Sequence, residues 1–268
     1  MFKFRSVAMV AGLALLGSAC GGPEEMPQQE QAPMSWEEFR ASAIPGEGGV
    51  IIVDMDIALP DEESLRAYYD ENVASNKAQD SLAVYYLNGA DVKWSTTTRQ
   101  NLTYCVSSAS FGTRYSTVVS AMSSATAAWE ATAGINFIHS SSYDSNCTAS
   151  QTGVLFDVRQ TSDTSYLARA FFPNSGRSSR NILISTSAFS PSRYSLTGIL
   201  RHELGHVLGF RHEHTRSTSS GCYEDGNWRA LTSYDRYSVM HYPQCNGLNT
   251  GDLVLTSLDQ SGARALYP

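Results

Sequence analysis

The chain has no C-x-x-C pair, which argues against a thiolate metal site. It has no calcium-loop pattern and no internal repeat. Beyond the first 20 residues, no apolar run approaches the roughly 20 residues that a membrane-spanning helix needs. Positive charge is not in excess: 19 Lys and Arg face 26 Asp and Glu, a formal net charge of −7, which argues against a nucleic-acid partner. At 42% hydrophobic and 17% charged, the composition is that of a globular protein, not of collagen, coiled coil or wholesale disorder. Its 268 residues suffice for one sizeable core or two smaller ones.

The N-terminus has the tripartite plan of an export signal. Lys3 and Arg5 precede a short apolar run over 7–16, followed by Gly17, Ser18, Ala19 and Cys20. Small residues before a Cys resemble the lipobox of bacterial lipoproteins, in which Cys20 would carry a lipid anchor; the alternative is an ordinary signal peptide that contains a Cys. Either reading predicts an exported protein, on the outer surface, in the periplasm as a lipoprotein, or secreted after processing. Without Cys20 four cysteines remain, an even set suited to an oxidising compartment. Three pairings are open; Cys105 with Cys147 and Cys222 with Cys245 are favoured because each closes a local loop.

Charge divides the chain. Residues 21–91 hold 15 acidic and 3 basic side chains, whereas 92–268 hold 11 and 14. The expected organisation is a signal peptide over 1–20, a tether and acidic propeptide over 21–92, and a functional domain over 93–268. Pro, Gln, Glu and Gly-Gly make 21–45 read as a flexible tether. A short β-branched run ends at Val53, and Pro60 with Asp61, Glu62 and Glu63 opens a helix to about residue 75. Strands are expected at 102–106, 135–139, 154–158, 168–172 and 182–184. Val118, Val119, Met122, Ala125, Ala128 and Trp129 mark a helix over 115–131. A second helix over 196–208 ends at Gly209. After an irregular stretch to about Leu255, Ser257 with Gln260 forms the capping box of a last helix.

The chemistry lies in Arg201-His202-Glu203-Leu204-Gly205-His206-Val207-Leu208-Gly209-Phe210-Arg211-His212-Glu213-His214. His202 and His206, four residues apart on a helix, face one side, where both can hold one ion. Glu203 stands beside them as a base, not a ligand. Gly209 permits the sharp turn that returns His212 as a third ligand. Three imidazoles leave one position open, as catalytic zinc sites do. Chance rarely produces this pattern from six histidines.

His-Glu-x-x-His-x-x-Gly-x-x-His resembles the metzincin zinc-peptidase signature, and Gly-Phe-x-His-Glu resembles its astacin branch. Ser238-Val239-Met240-His241-Tyr242 resembles the family's Met-turn in its astacin form. Gly205 instead resembles the matrixin branch, and Ser-Thr-Ser-Ser-Gly follows Arg216 where astacins carry charged residues. The resemblance covers 93–268. It implies an α+β fold: a mixed twisted sheet and the active-site helix in an N-terminal subdomain, and an irregular C-terminal subdomain ending in a helix. It further implies one zinc ion on His202, His206 and His212, with Met240 as an apolar floor and Tyr242 as a labile fifth ligand that swings to stabilise the oxyanion. The expected activity is endoproteolytic hydrolysis of protein or peptide substrates by a zinc-activated water, Glu203 being the general base. Substrate would pair with an edge strand at 168–172. A monomer is expected, with His139, His214 and His241 outside the ligand set. Latency is expected from a propeptide aspartate on the zinc, Asp56 ahead of Asp54, or from neither. Glu213 is either the partner of a processed N-terminus or a solvated acid. The competing class is a surface binding protein on the same scaffold, which the intact Glu203 argues against; a third reading is a processing enzyme for one partner.

Overall fold

Short runs of β-branched and aromatic residues pair into sheets, and two stretches of helical periodicity supply the helices that cover the largest of them. The computed structural model describes residues 35–53, 56–72, 82–190, 193–215 and 228–268, all within one compact unit. The helices are α1 (Trp36–Ser42), α2 (Glu62–Asn72), α3 (Thr96–Arg99), α4 (Ser108–Phe111), α5 (Tyr115–Glu130), α6 (Leu196–Val207) and α7 (Ser257–Leu266). The strands are β1 (Ile44–Pro45), β2 (Ile51–Val53), β3 (Ile57–Leu59), β4 (Ala83–Leu87), β5 (Ala90–Asp91), β6 (Leu102–Val106), β7 (Phe137–His139), β8 (Phe156–Thr161), β9 (Ala168–Arg169), β10 (Asn181–Ser185) and β11 (Trp228–Ala230). The fold is mixed α+β.

The main sheet has the order β7-β6-β8-β10-β9. Its first four strands run parallel, and β9 closes one edge antiparallel to β10. All five residues of β10 are buried, as a strand covered on both faces requires. On α5, Val118, Ala121, Met122, Ala125 and Trp129 form a buried stripe at spacings of three and four. Trp129 is wholly buried, and its Nε1–H donates to the carbonyl of Arg201 at 2.9 Å, which locks α5 against α6. Cys105 and Cys147 form a disulfide that joins the end of β6 to the segment after β7. Its sequence separation of 42 residues corresponds to about 4 kcal/mol of chain-entropy stabilisation. Cys245 is oxidised, while Cys222, its expected partner, lies outside the described residues, as do Cys20 and Asp54.

Three local readings are corrected. The stretch read as tether contains α1, because Ser35 and Glu38 form a capping box and Phe39 is buried against Tyr68 of α2. The last helix is capped by Thr256 with Asp259, one residue before the expected pair. The irregular stretch before it contains β11, which pairs with β4 in a three-stranded sheet β11-β4-β5. A third sheet, β1-β2-β3, leads the N-terminal segment to the edge of β9.

Candidate active site

Helix α6 begins at Ser195, whose Oγ accepts from Gly198 N at 3.1 Å. Two of its glycines are dictated by close approach. A Cβ on Gly198 would stand 2.7 Å from the carbonyl oxygen of Asp252, and one on Gly205 would stand 2.3 Å from Met240 Sδ. The helix ends at Gly209, at φ +98°, where a Cβ would meet the carbonyl oxygen of Val92 at 2.2 Å. The chain then turns along β4: Val84 bridges Phe210, and Arg211 N donates to the carbonyl of Ala83 at 2.7 Å. This β4 contact, carried by residues upstream of 93, delivers His212 to the helix face.

His202 Nδ1 donates to the carbonyl of Val239 and His206 Nδ1 to that of Phe210, each at 2.8 Å. A carbonyl only accepts, so both rings carry their proton on Nδ1 and present the lone pair of Nε2. The Nε2 atoms of His202 and His206 each lie 3.2 Å from His212 Nε2. Neutral imidazoles do not place lone pairs together without a cation between them. Tetrahedral zinc–imidazole bonding puts ligand nitrogens about 3.3 Å apart, so the donor set fits zinc. Burial lowers the pKa of His206 to about 4, which keeps it neutral and able to ligate.

Asp56 completes the group. Its Oδ2 is 3.2 Å from His202 Nε2, and its Oδ1 is 3.5 Å from His206 Nε2 and 3.2 Å from His212 Nε2. Oδ1 has no hydrogen-bond partner. The four potential ligand atoms lie within 4.8 Å of one another, all on buried residues. Burial works against the Asp56 charge, but His212 and His206 outweigh it and hold the carboxyl well below the usual range. The phenol of Tyr242 donates to Asp56 Oδ2. Glu203 is buried beside them with Oε2 unpartnered, and burial followed by the Asp56 charge pushes its carboxyl well above the usual range.

The segment carrying Asp56 runs along the edge strand. Ala170 N donates to the carbonyl of Asp56 at 3.1 Å, Ala58 N donates to that of Ala170 at 3.4 Å, and Ile57 bridges Ala170 in parallel. Beside Glu203 a cavity of about 120 Å³ is lined by Tyr166, Leu167, Ala168, Tyr194, Ile199, Tyr242 and Leu253 among others.

The remaining histidines are supports. His214 Nδ1 accepts from Tyr242 N at 3.3 Å and its ring stacks on His212. His241 Nε2 bonds the Tyr234 hydroxyl at 2.7 Å, and burial lowers its pKa to about 4. His139 contacts Asp144 far along the sheet, at the end of β7. Glu213 is not a solvated acid: it is wholly buried and its Oε1 accepts from Asp235 N at 2.8 Å.

Asp259 was not anticipated. From the first turn of α7 its carboxylate accepts from Val239 N at 2.9 Å and Ser238 Oγ at 2.5 Å. It therefore holds Val239 of the Met-turn, the residue whose carbonyl orients His202. The Thr-x-x-Asp spacing of 256–259 was its only signal.

Three imidazoles on a helix and its turn, a buried carboxylate beside them and a methionine beneath define a metzincin-type zinc metallopeptidase. The matrixin family model matches residues 93–241, more than half of the chain, and the chain belongs to the matrixin family. Matrix metalloproteinase-A of Caenorhabditis elegans is 32% identical over 87 residues, covering 30% of this chain and 16% of that protein. The chain thus spans about a sixth of the length of this curated relative. Among solved structures, myroilysin is similar at 20% identity and a TM-score of 0.46, over 69% of this chain and 98% of that one. High choriolytic enzyme 1, a hatching-enzyme zinc protease from Oryzias latipes, is similar at 20% identity and a TM-score of 0.41, over 65% and 96%.

Proposed function

We propose that the protein is an exported zinc endopeptidase, made as a precursor that Asp56 keeps latent. The observation that carries this reading is the convergence of the Asp56 carboxylate and three histidine Nε2 atoms within 4.8 Å. His202, His206 and His212 would hold the ion, with Asp56 as fourth donor. Zinc supplies Lewis acidity, polarising a carbonyl oxygen and lowering the pKa of water.

The protein's own groups supply the rest. Glu203, unpartnered at Oε2 and disposed to take up a proton, serves as the base and returns that proton to the leaving nitrogen. Tyr242, once free of Asp56, turns its hydroxyl to the oxyanion, as in the astacin-like form of the Met-turn. Ala168 and Ala170 offer edge-strand backbone to an extended peptide, replacing the pairing that residues 56–58 make. The apolar cavity beside Glu203 suits an apolar substrate side chain. Export follows from the N-terminal signal, and Cys20 is the candidate for lipid attachment.

The test uses the full-length chain. Wild type should bind about one zinc and cleave quenched casein slowly. Asp56→Ala should cleave it at least about tenfold faster, and adding Glu203→Gln should remove about 10²- to 10⁴-fold of that activity. Equal activity in wild type and Asp56→Ala would end the latency reading, and a folded chain without zinc would end the metal assignment.

A further inference from the structure

We propose that Arg169 and Tyr166 form a subsite for a carboxylate side chain of the peptide substrate. The inference rests on the reading of this cleft as a peptidase cleft, and names a chemical preference within it.

Arg169 is 0% exposed, yet Nε, Nη1 and Nη2 all lack a hydrogen-bond partner. The buried hydroxyl of Tyr166 stands beside this guanidinium and likewise makes no hydrogen bond of good geometry. An unpaired buried guanidinium is among the most costly groups a fold can hold, so an acceptor is missing here. Glu203 lies within the field of Arg169 but makes no hydrogen bond to it, and the other acids nearby are engaged elsewhere. Glu47 binds Arg159 Nη1 at 2.7 Å, Asp157 binds Arg159 and Arg177, and Asp163 accepts from Ser165 N and Oγ. Arg159 and Arg169 both sit opposite Leu183 in register, so their side chains leave the same face of the sheet.

The place is reached from the cleft. Arg169 lies on the edge strand, and the next residue, Ala170, pairs with residues 56–58. Ala58 and Tyr166 belong to one buried cluster with Val50 and Ile52. Tyr166 also lines the cavity beside Glu203. Ala58 therefore brings a methyl group, with no acceptor, to the wall that holds four unpartnered donors. A Glu or Asp on a peptide bound along the same edge strand brings the missing oxygens. Both can be met together: the phenol donates to one oxygen and the guanidinium donates to either.

The experiment uses folded full-length protein, activated by limited proteolysis, and peptide pairs that differ only by Glu or Gln at one position, scanned along the sequence. The expected result is a kcat/KM about tenfold higher for Glu at one position. That ratio should fall to about one in Arg169→Gln and by a smaller factor in Tyr166→Phe. Should Arg169→Gln fail to fold, Arg169→Lys keeps the charge and loses the fork, and should lower the ratio severalfold. A wild-type ratio near one at every position overturns the subsite, as does a ratio that these variants leave unchanged. Cleavage of Gln peptides without a Glu preference sinks this inference alone; zinc-loaded wild type that cleaves no peptide sinks the peptidase reading with it.

Discussion

At the scale of single residues, the site is built from close approaches and from buried groups with opposed proton affinities. Gly205 is required by one sulfur atom: Met240 Sδ lies where a Cβ would be 2.3 Å away. Gly205→Ala should destabilise the protein by about 1–3 kcal/mol in urea unfolding. Adding Met240→Ala should recover part of that loss, so a double-mutant cycle showing simple additivity would disprove the contact. His241 and Asp259 differ in sign. Burial lowers His241 to about 4 from 6.5, so its contribution is present above pH 6.5 and is lost as pH falls through 4. Burial raises Asp259 to about 6 from 3.8, so its contribution is present below pH 3.8 and is lost as pH rises through 6. Urea melts of His241→Gln should therefore lose less stability than wild type on acidification from pH 7 to 5. Melts of Asp259→Asn should lose less than wild type between pH 5 and 7. Parallel curves for variant and wild type would refute either assignment.

At the scale of elements, legibility followed how local the stabilising forces are. The stripe of α5, the continuous burial of β10 and the metal face of α6 are set by spacing along one segment, and spacing is what a sequence displays. The sheet β11-β4-β5 was not legible, because Trp228–Ala230 becomes a strand only by pairing with Ala83, Val84 and Tyr85, some 140 residues away. Helix α1 was hidden by its acidic, Gln- and Pro-rich flank, although Ser35 and Glu38 carried a readable cap. Within the site, the three histidines, Glu203 and Met240 could be read from motif spacing. Arg169 and Asp259 could not, since their significance lies in what surrounds them after folding. The elements also differ in what ties them. The Cys105–Cys147 bridge closes the β6–β7 crossover with its 42-residue separation. Replacing both cysteines by Ala should cost about 2–5 kcal/mol, read from the urea midpoint. A loss below about 1 kcal/mol would mean that the hydrophobic packing of β6 and α5 already constrains the loop.

At the scale of the molecule, the N-terminal segment and the histidine site form one thermodynamic system. Residues 44–53 and 56–59 form a small sheet at the cleft, Glu47 anchors it to Arg159, and Asp56 reaches the three imidazoles. An ion held by three imidazoles and a carboxylate should leave more slowly than one held by the imidazoles alone, because the carboxylate and the strand pairing must both let go first. Linkage then requires the reverse effect: bound zinc holds the N-terminal segment in the cleft. Chelator challenge of the full chain reads the first effect. Asp56→Ala should release zinc at least about tenfold faster than wild type, and Tyr242→Phe, which removes the hydrogen bond to Asp56 and keeps the carboxylate, should fall between them. Limited proteolysis reads the second: cleavage within residues 44–59 should speed up when zinc is removed from wild type, and should depend less on zinc in Asp56→Ala. If zinc leaves wild type and Asp56→Ala at the same rate, Asp56 does not ligate the ion. Any latency of the chain would then have to come from steric cover by β1, β2 and β3.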